Sequence, residues 1–217
     1  MIERDYIMRM IDILSKVLAR ALFLRKSLEF PKAADELAAA ARNLLGLDHD
    51  LILLMSDAQL IELLSTDELL GASKCYTLGM LLKEDAELSL EQGKQEEAAA
   101  LLTKSASLLL TSFLGADTPV VPAHQTSVDE AIARLGSIRS PSPIALKLLD
   151  YYERTGRYDK AEDLLFDRLD DDPEFLRKGL ALYERLLAHT DEDLMRGNLP
   201  RTEIEEGRRE LQQRQNR

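Results

Sequence analysis

Apolar residues recur along this chain at the three- and four-residue spacing of amphipathic helices. The clearest case is residues 3–26, where Asp5, Arg9, Asp12 and Lys16 follow one another every three or four positions and most of the remaining surface is apolar. Valine and isoleucine are sparse, and regular apolar–polar alternation is absent. Because alanine, leucine, glutamate, lysine and arginine predominate and all favour helices, we expect an all-α fold.

Helix-start and helix-stop residues divide the rest of the chain into further helices. A serine or threonine followed three residues later by Gln or Glu forms a capping box, which opens a helix, and a glycine after an apolar run closes one. The capping boxes pair Ser56 with Gln59, Ser65 with Glu68, Ser127 with Glu130 and Thr202 with Glu205. The closing glycines are Gly46, Gly93, Gly115, Gly136 and Gly156.

One segment lacks helical periodicity altogether. Residues 115–126, GADTPVVPAHQT, contain two prolines and no helical period, which is typical of a linker. We therefore expect a single all-helical domain over residues 1–217. Two arrangements are open: one continuous domain, or two sub-lobes, 1–114 and 127–217, joined by linker 115–126.

A short pattern occurs three times, as FPKAADEL at 30–37, QEEAAALL at 95–102 and YDKAEDLL at 158–165. The aligned alanines are Ala33, Ala98 and Ala161, and a leucine follows each after four residues. Their separation of about 64 residues is near twice the period of about 34 that helix-turn-helix solenoids use. A small residue lets a partner helix approach closely, so each copy is interpreted as the second helix of an antiparallel pair.

The best-formed copy lies in residues 144–175. Its characteristic positions are Leu148, Tyr152, Gly156, Tyr158, Ala161, Leu165 and Pro173. With these residues at this spacing, the segment resembles a tetratricopeptide repeat. It departs from that family at Ala145, where the family has Trp, and at Leu149 and Arg168, where it has small residues. The resemblance implies antiparallel helix-turn-helix pairs that form a degenerate tetratricopeptide-like array.

The N-terminus carries a second resemblance. The opening MIERDYIMRMI is similar to the start of an uncharacterised family of small bacterial all-helical proteins. That likeness implies no activity.

Composition and charge exclude several classes of protein. The net charge of −11 disfavours nucleic acid as a partner, because such binding depends on cations that neutralise phosphates. Charged residues interrupt the N-terminus, so no secretory signal is expected, and no apolar run is long enough for a membrane span. Cys75 is the single cysteine, which fits a reducing compartment. We expect a cytoplasmic protein with neither a nucleic-acid nor a membrane partner.

Charge is unevenly distributed along the chain. Residues 1–28 carry six basic and three acidic side chains, whereas the remainder is strongly acidic. A basic first helix can dock on the acidic body of its own chain or of another copy. The alternative is an ordinary solvated face.

The sequence contains no motif that indicates catalysis. His49, His124 and His189 are far apart and lack metal-ligand spacing with one another or with Cys75, so each is expected at the solvated surface. The acidic cluster at 167–174 lacks the pattern of a calcium loop. Phosphate-binding glycine motifs and a nucleophile turn are also missing. We expect no enzyme activity, no cofactor and no metal.

The function these observations favour is a non-catalytic protein or peptide interaction module, a helical-repeat scaffold. The side chains assigned to the partner-binding surface are Lys147, Tyr151, Arg154 and Arg157. The wide apolar face of the first helix is interpreted either as core or as the face of a homo-oligomer formed through residues 3–26. Its defining positions are Ile7, Met10, Ile13, Leu14 and Val17. Two alternatives stay open: a structural homodimer with no separate ligand, and a peptide-sensing regulator without a DNA-binding domain.

Overall fold

The structure of the protein, a computed structural model, describes residues 2–67, 70–117, 120–136 and 140–216, with side chains from residue 5 onward. The described residues form twelve α-helices and no strand, so the all-α prediction is confirmed. Glu68 of a predicted capping box and residues 118–119 of the predicted linker lie outside them. The helices are α1 (Ile2–Lys26), α2 (Phe30–Leu45), α3 (His49–Leu54), α4 (Asp57–Leu64), α5 (Gly71–Glu91), α6 (Gln95–Leu114), α7 (His124–Leu135), α8 (Ser142–Arg154), α9 (Tyr158–Arg168), α10 (Pro173–Leu186), α11 (Asp191–Arg196) and α12 (Arg201–Gln215).

The helices divide into two compact units, Met1–Arg139 and Ser140–Arg217. The division falls after α7 rather than in the predicted linker 115–126. Helix α7 begins at His124, inside that segment, and packs against α6. Its residues Val128 and Ala131 are fully buried, which places α7 in unit 1. Pro122 thus lies in a connection inside unit 1.

Unit 1 is built around the antiparallel hairpin of α5 and α6. A β-carbon added at Gly79 would lie 2.7 Å from Cγ of Leu109, so the two helices touch at this point. The hydroxyl of Ser105 donates to the carbonyl of Gly79 at 2.7 Å, and that of Ser112 donates to the carbonyl of Ala72 at 2.6 Å. Small residues on the facing sides allow this approach, and their hydroxyls satisfy buried carbonyl groups.

Among the described helices, α6 alone is long and apolar enough to cross a membrane by length and composition. The core helix of a compact unit has the same composition. More than half of the apolar window of α6 is buried inside the unit. Its residues Leu108, Leu109 and Leu110 are fully enclosed. Burial within the unit therefore accounts for the composition of this helix.

Helix α1 packs on α2 and α5, and its basic residues meet acidic ones of the same chain. Arg25 donates to Glu84 at 2.8 Å and also pairs with Glu91. Arg20 lies 3.1 Å from a carboxylate oxygen of Glu36. The basic first helix therefore forms ion pairs with acidic residues of its own chain, which is one of the two docking arrangements that the sequence left open.

Unit 2 contains the segment that resembles a tetratricopeptide repeat. That segment forms the helical hairpin of α8 and α9. Its aligned residues Ala161 and Leu165 are fully buried. The phenol of Tyr183 donates to Oε1 of Glu162 at 2.6 Å, and burial raises the pKa of that carboxyl above its usual range. The core of unit 2 thus joins α9 and α10 by apolar and polar contacts.

The three recurring segments share one turn geometry. Each is preceded by a residue with positive φ, namely Leu28 (61°), Gly93 (76°) and Gly156 (71°). The next N–H donates to the carbonyl five residues earlier, the signature of the Schellman motif. These bonds join Glu29 to Leu24, Lys94 to Ser89 and Arg157 to Tyr152, each at 2.9 Å. The sequence repeat therefore marks a repeated helix-turn-helix connection, in which leucine replaces glycine once.

We expect Leu28→Gly to raise the free energy of unfolding by about 1 kcal/mol. A β-carbon in the left-handed region costs roughly 1–2 kcal/mol, part of which is offset by the greater freedom of glycine in the unfolded chain. The side chain of Leu28 is 71% exposed, so its removal forfeits little burial. Urea denaturation measures the change, and Leu28→Ala, which keeps a β-carbon, is the matched control. If Leu28→Gly and Leu28→Ala were equally stable, the backbone at residue 28 would not be strained by a β-carbon.

The converse substitution, Gly156→Ala, is expected to lower the free energy of unfolding by about 1 kcal/mol. A β-carbon at Gly156 would meet no atom within 4 Å, so the effect isolates the backbone conformation. The same urea titration measures it. An unchanged midpoint would mean that the turn does not require positive φ.

We expect Gly79→Ala to lower the free energy of unfolding by about 1–3 kcal/mol. The new β-carbon on α5 must push aside the side chain of Leu109 on α6. This loss of stability is expected although helix propensity alone favours alanine over glycine by about 1 kcal/mol. Ser15→Ala, on the exposed side of α1, is a control for propensity alone and should change stability by less than about 0.5 kcal/mol. A Gly79→Ala protein as stable as the parent would show that the helices are not in close contact.

Candidate functional site

Helix α3 exposes most of its apolar residues. Its six residues, HDLILL, contain four apolar side chains, of which only Ile52 is buried. Leu51 is 44% exposed, Leu53 40% and Leu54 84%. A single exposed leucine is ordinary, but three on one short helix form a feature that packing inside the chain does not explain.

The N-terminal end of α3 is anchored to α5 by an ion pair. Nε2 of His49 donates to Oδ2 of Asp85 at 2.8 Å, and Asp85 is buried. The hydrogen bond to Asp85 raises the pKa of His49 above its usual value, and the nearby carboxylates of Asp50 and Glu97 act in the same direction. Burial of the ring opposes this shift. The protonated imidazole is therefore favoured at this position.

The C-terminal end of α3 is anchored to α6 by a lysine. Nζ of Lys104 donates to the carbonyls of Ile52 at 2.9 Å and Leu53 at 2.6 Å. Carbonyls in the last turn of a helix lack partners inside it, and a cation there also interacts favourably with the helix dipole. Burial lowers the pKa of the Lys104 amine below its usual range. With His49, this contact fixes α3 at both ends.

A depression of about 490 Å³ lies beside the exposed leucines. It is lined by Arg42 at the end of α2, by Asp48, and by four residues of α3: His49, Asp50, Leu51 and Leu54. Nε of Arg42 lies 2.6 Å from Oδ1 of Asp48. The depression therefore combines two apolar side chains with charged groups of both signs, an arrangement that an amphipathic ligand fits.

The surface assigned from sequence to the partner, on α8 and the following turn, is corrected at Tyr151. This side chain is fully buried, and the guanidinium of Arg157 lies over its ring at 5.5 Å. Tyr151 lies two helical turns after Ile144, which is also buried, so it faces the core. Arg154 is exposed, while Lys147 and Arg157 are half-buried. The structure thus leaves three of the four predicted side chains with access to solvent.

The apolar positions of α1 separate into buried and exposed ones. Met10 and Leu14 are buried in the core, whereas Ile7 and Val17 are half-buried. Ile13 is 39% exposed. Contacts within the chain therefore account for the centre of this face, and association of two copies through residues 3–26 stays a prediction.

The three histidines lie in different surroundings. His124 is fully buried, with its ring centroid 5.0 Å from that of Tyr76, which corrects the expectation of a solvated side chain. His189 lies beside Tyr158, at 5.7 Å between ring centroids. Within the described ranges, no group of three His, Cys, Asp or Glu residues is placed to hold a metal ion.

Two residues that complete the α3 site, Asp85 and Lys104, were not identified from sequence. Each contacts α3 from a distant part of the sequence. Asp85 follows His49 by 36 residues, and Lys104 follows Ile52 by 52. Helical periodicity assigns both to helices but gives no partner. A lysine within the apolar run of α6 was the one available signal.

We expect the His49–Asp85 pair to make stability depend on pH. Because the folded-state pKa of His49 is raised, its contribution is complete below the ordinary value of about 6.5 and is lost as pH rises through the folded value. The free energy of unfolding should therefore fall more between about pH 6 and pH 8 in the parent protein than in His49→Gln. Urea denaturation across this range measures the difference. If the free energy of unfolding changed with pH equally in both proteins, the His49–Asp85 ion pair would not contribute to stability.

Comparison with known proteins gives a family without an assigned activity. No curated protein and no solved structure matches the chain. The model described as a family of unknown function, DUF6483, matches residues 1–216. The prediction of an uncharacterised family is thereby confirmed, while the tetratricopeptide-like resemblance finds no support among these comparisons. Since the match covers nearly the whole chain, the protein belongs to the DUF6483 family.

Proposed function

We propose that this protein is a non-catalytic interaction module that binds a segment of another protein on the exposed face of α3. The observation that carries the proposal is the exposure of Leu51, Leu53 and Leu54 on a helix that polar contacts hold in place. Full burial of one leucine side chain contributes roughly 1.5–3 kcal/mol. A partner that covered this face would gain that contribution.

The anchors of α3 also favour binding by limiting its entropic cost. A helix of six residues is unstable alone, so an unanchored α3 would have to order when a partner arrived. His49 and Lys104 hold both of its ends in the free protein. The depression beside Leu51 and Leu54 adds concave surface and carboxylates that can orient a ligand.

We also propose that the helical pairs form a degenerate tetratricopeptide-like array, the scaffold that presents α3. Support comes from the shared Schellman turns after α1, α5 and α8. It also comes from burial of the aligned residues Ala33, Ala98 and Ala161 in the helix that follows each turn. In such arrays, short insertions between helical pairs frequently carry binding residues. Helices α3 and α4 lie between the α1–α2 and α5–α6 pairs and match that description.

A comparison of proteins captured from a native cell extract tests this function. We expect a Leu51→Ser/Leu54→Ser double variant, immobilised as the full chain, to lose at least one protein that the parent retains. Met195→Ser, which alters a side chain 62% exposed on α11, is the matched control and should retain it. Removal of central apolar contacts typically weakens an interface by 2 kcal/mol or more, or about 30-fold.

Two results would contradict the proposal. One is an identical set of captured proteins for the parent and the double variant. The other is recovery of only the chain itself, which would favour a structural homodimer. Circular dichroism and thermal unfolding of each variant would establish that its fold is intact.

A further inference from the structure

We infer that the partner segment is a cationic amphipathic helix. This inference rests on the proposed function and adds the chemistry of the ligand. Its basis is the combination, on one surface, of an apolar ridge with the carboxylate of Asp50, which makes no ion pair within 4 Å among the described residues.

The segment of chain that contains α3 is acidic. Residues 43–73 contain no lysine or arginine. Their acidic residues are Asp48, Asp50, Asp57, Glu62, Asp67 and Glu68. Cations from outside this segment already meet two of them, since Arg42 pairs with Asp48 and Nζ of Lys74 lies 3.7 Å from a carboxylate oxygen of Asp67.

Two cations of other helices, Arg42 and Lys104, lie beside α3 in the described part of the chain, and both are engaged. Arg42 lies 2.6 Å from Asp48, and Lys104 donates to two backbone carbonyls of α3. His49 is directed to Asp85. Among the residues that the structure describes, Asp50 makes no ion pair within 4 Å, although it lines the depression beside Leu51 and Leu54. A lysine or arginine from a partner would find its counter-charge there.

The shape of the surface favours a helix over an extended strand. Leu51 and Leu54 lie three positions apart, so they form a ridge along one side of α3 beside the depression. Such ridges pack into the grooves between side chains of a second helix. A strand binds by pairing with the open edge of a sheet, and the described residues contain no sheet.

The acidic character of this segment argues against anionic partners. Nucleic acid and acidic lipid surfaces are both recognised through clusters of lysine and arginine. A second copy of this chain has a less suitable helix in α1, because three of its cations, Lys16, Arg20 and Arg25, are paired internally. Lys16 lies 2.7 Å from Asp12, and Arg20 lies 3.1 Å from Glu36. A partner protein with a free cationic helix is therefore the occupant that the surface fits.

Binding of two designed peptides to the full-length protein tests this inference. The first is a fluorescein-labelled helix of about 18 residues with leucines at i, i+3, i+4 and i+7 and lysines elsewhere. The second replaces every lysine by glutamate. Fluorescence anisotropy should show that the lysine peptide binds at least tenfold more tightly, and that its affinity falls as salt rises from about 50 to 300 mM.

Matched variants locate the binding on α3. We expect Leu51→Ser/Leu54→Ser and Asp50→Asn each to weaken binding of the lysine peptide by about three- to tenfold. Met195→Ser and Asp163→Asn, at exposed positions of unit 2, are the controls and should bind as the parent does. Equal loss in the control variants would show attraction to the acidic protein as a whole, which overturns the inference.

The remaining outcomes separate this inference from the proposed function. If both peptides bind equally, or the glutamate peptide binds more tightly, the cationic chemistry is wrong, while capture that depends on Leu51 and Leu54 still upholds the interaction module. If neither peptide binds and the parent forms a dimer that the double serine variant does not, the occupant is a second copy. Sedimentation of the parent and the variant without peptide identifies that case.

Discussion

Gly79 brings α5 and α6 so close together that the hydroxyl of Ser105 bonds to its carbonyl at 2.7 Å. The placement of α3 depends on this contact, because the residues that hold α3 come from both helices. Lys104 directly precedes Ser105 on α6, and Asp85 lies further along α5. If the hairpin separated, these anchors would move apart, and α3 would lose its hold at one end. The close helix pair thus determines where the exposed leucines are presented.

Polar contacts hold α3 in position, whereas buried apolar side chains hold the other helices of unit 1. Most helices of unit 1 bury a continuous apolar stripe, whereas α3 buries Ile52 alone and relies on His49 and Lys104 for its position. Its leucines thereby remain available to solvent. Hydrogen bonds to charged groups contribute roughly 1.5–3 kcal/mol each when buried and less where, as at His49 and Lys104, solvent reaches them. They can hold a six-residue helix that neither propensity nor its own burial would stabilise.

Local sequence signals predicted the scaffold better than the site. Gly93 and Gly156 were recognisable as helix ends because glycine tolerates the left-handed backbone, but Leu28 adopts the same conformation with no such signal. Tyr151 was assigned to the partner surface because it lies on the best-formed helical pair, but the sequence does not show which face of that pair is exposed, and the structure buries this side chain. The anchors of α3 join residues tens of positions apart, so no periodicity reveals them. The apolar pattern showed that α3 is hydrophobic but not that its neighbours leave it uncovered.

The central claim is that α3 is a firmly held helix whose exposed leucines are presented in place. Hydrogen exchange of its backbone amides, followed by NMR in the native protein, tests this most directly. The N–H of Ile52 donates to Asp48 at 3.1 Å, and that of Met55 donates to Leu51 at 3.0 Å. Our account predicts that these amides exchange at least about 30-fold more slowly than in an unfolded chain, and that Lys104→Met removes most of this protection. Exchange of both amides at the unfolded rate in the parent protein would contradict it.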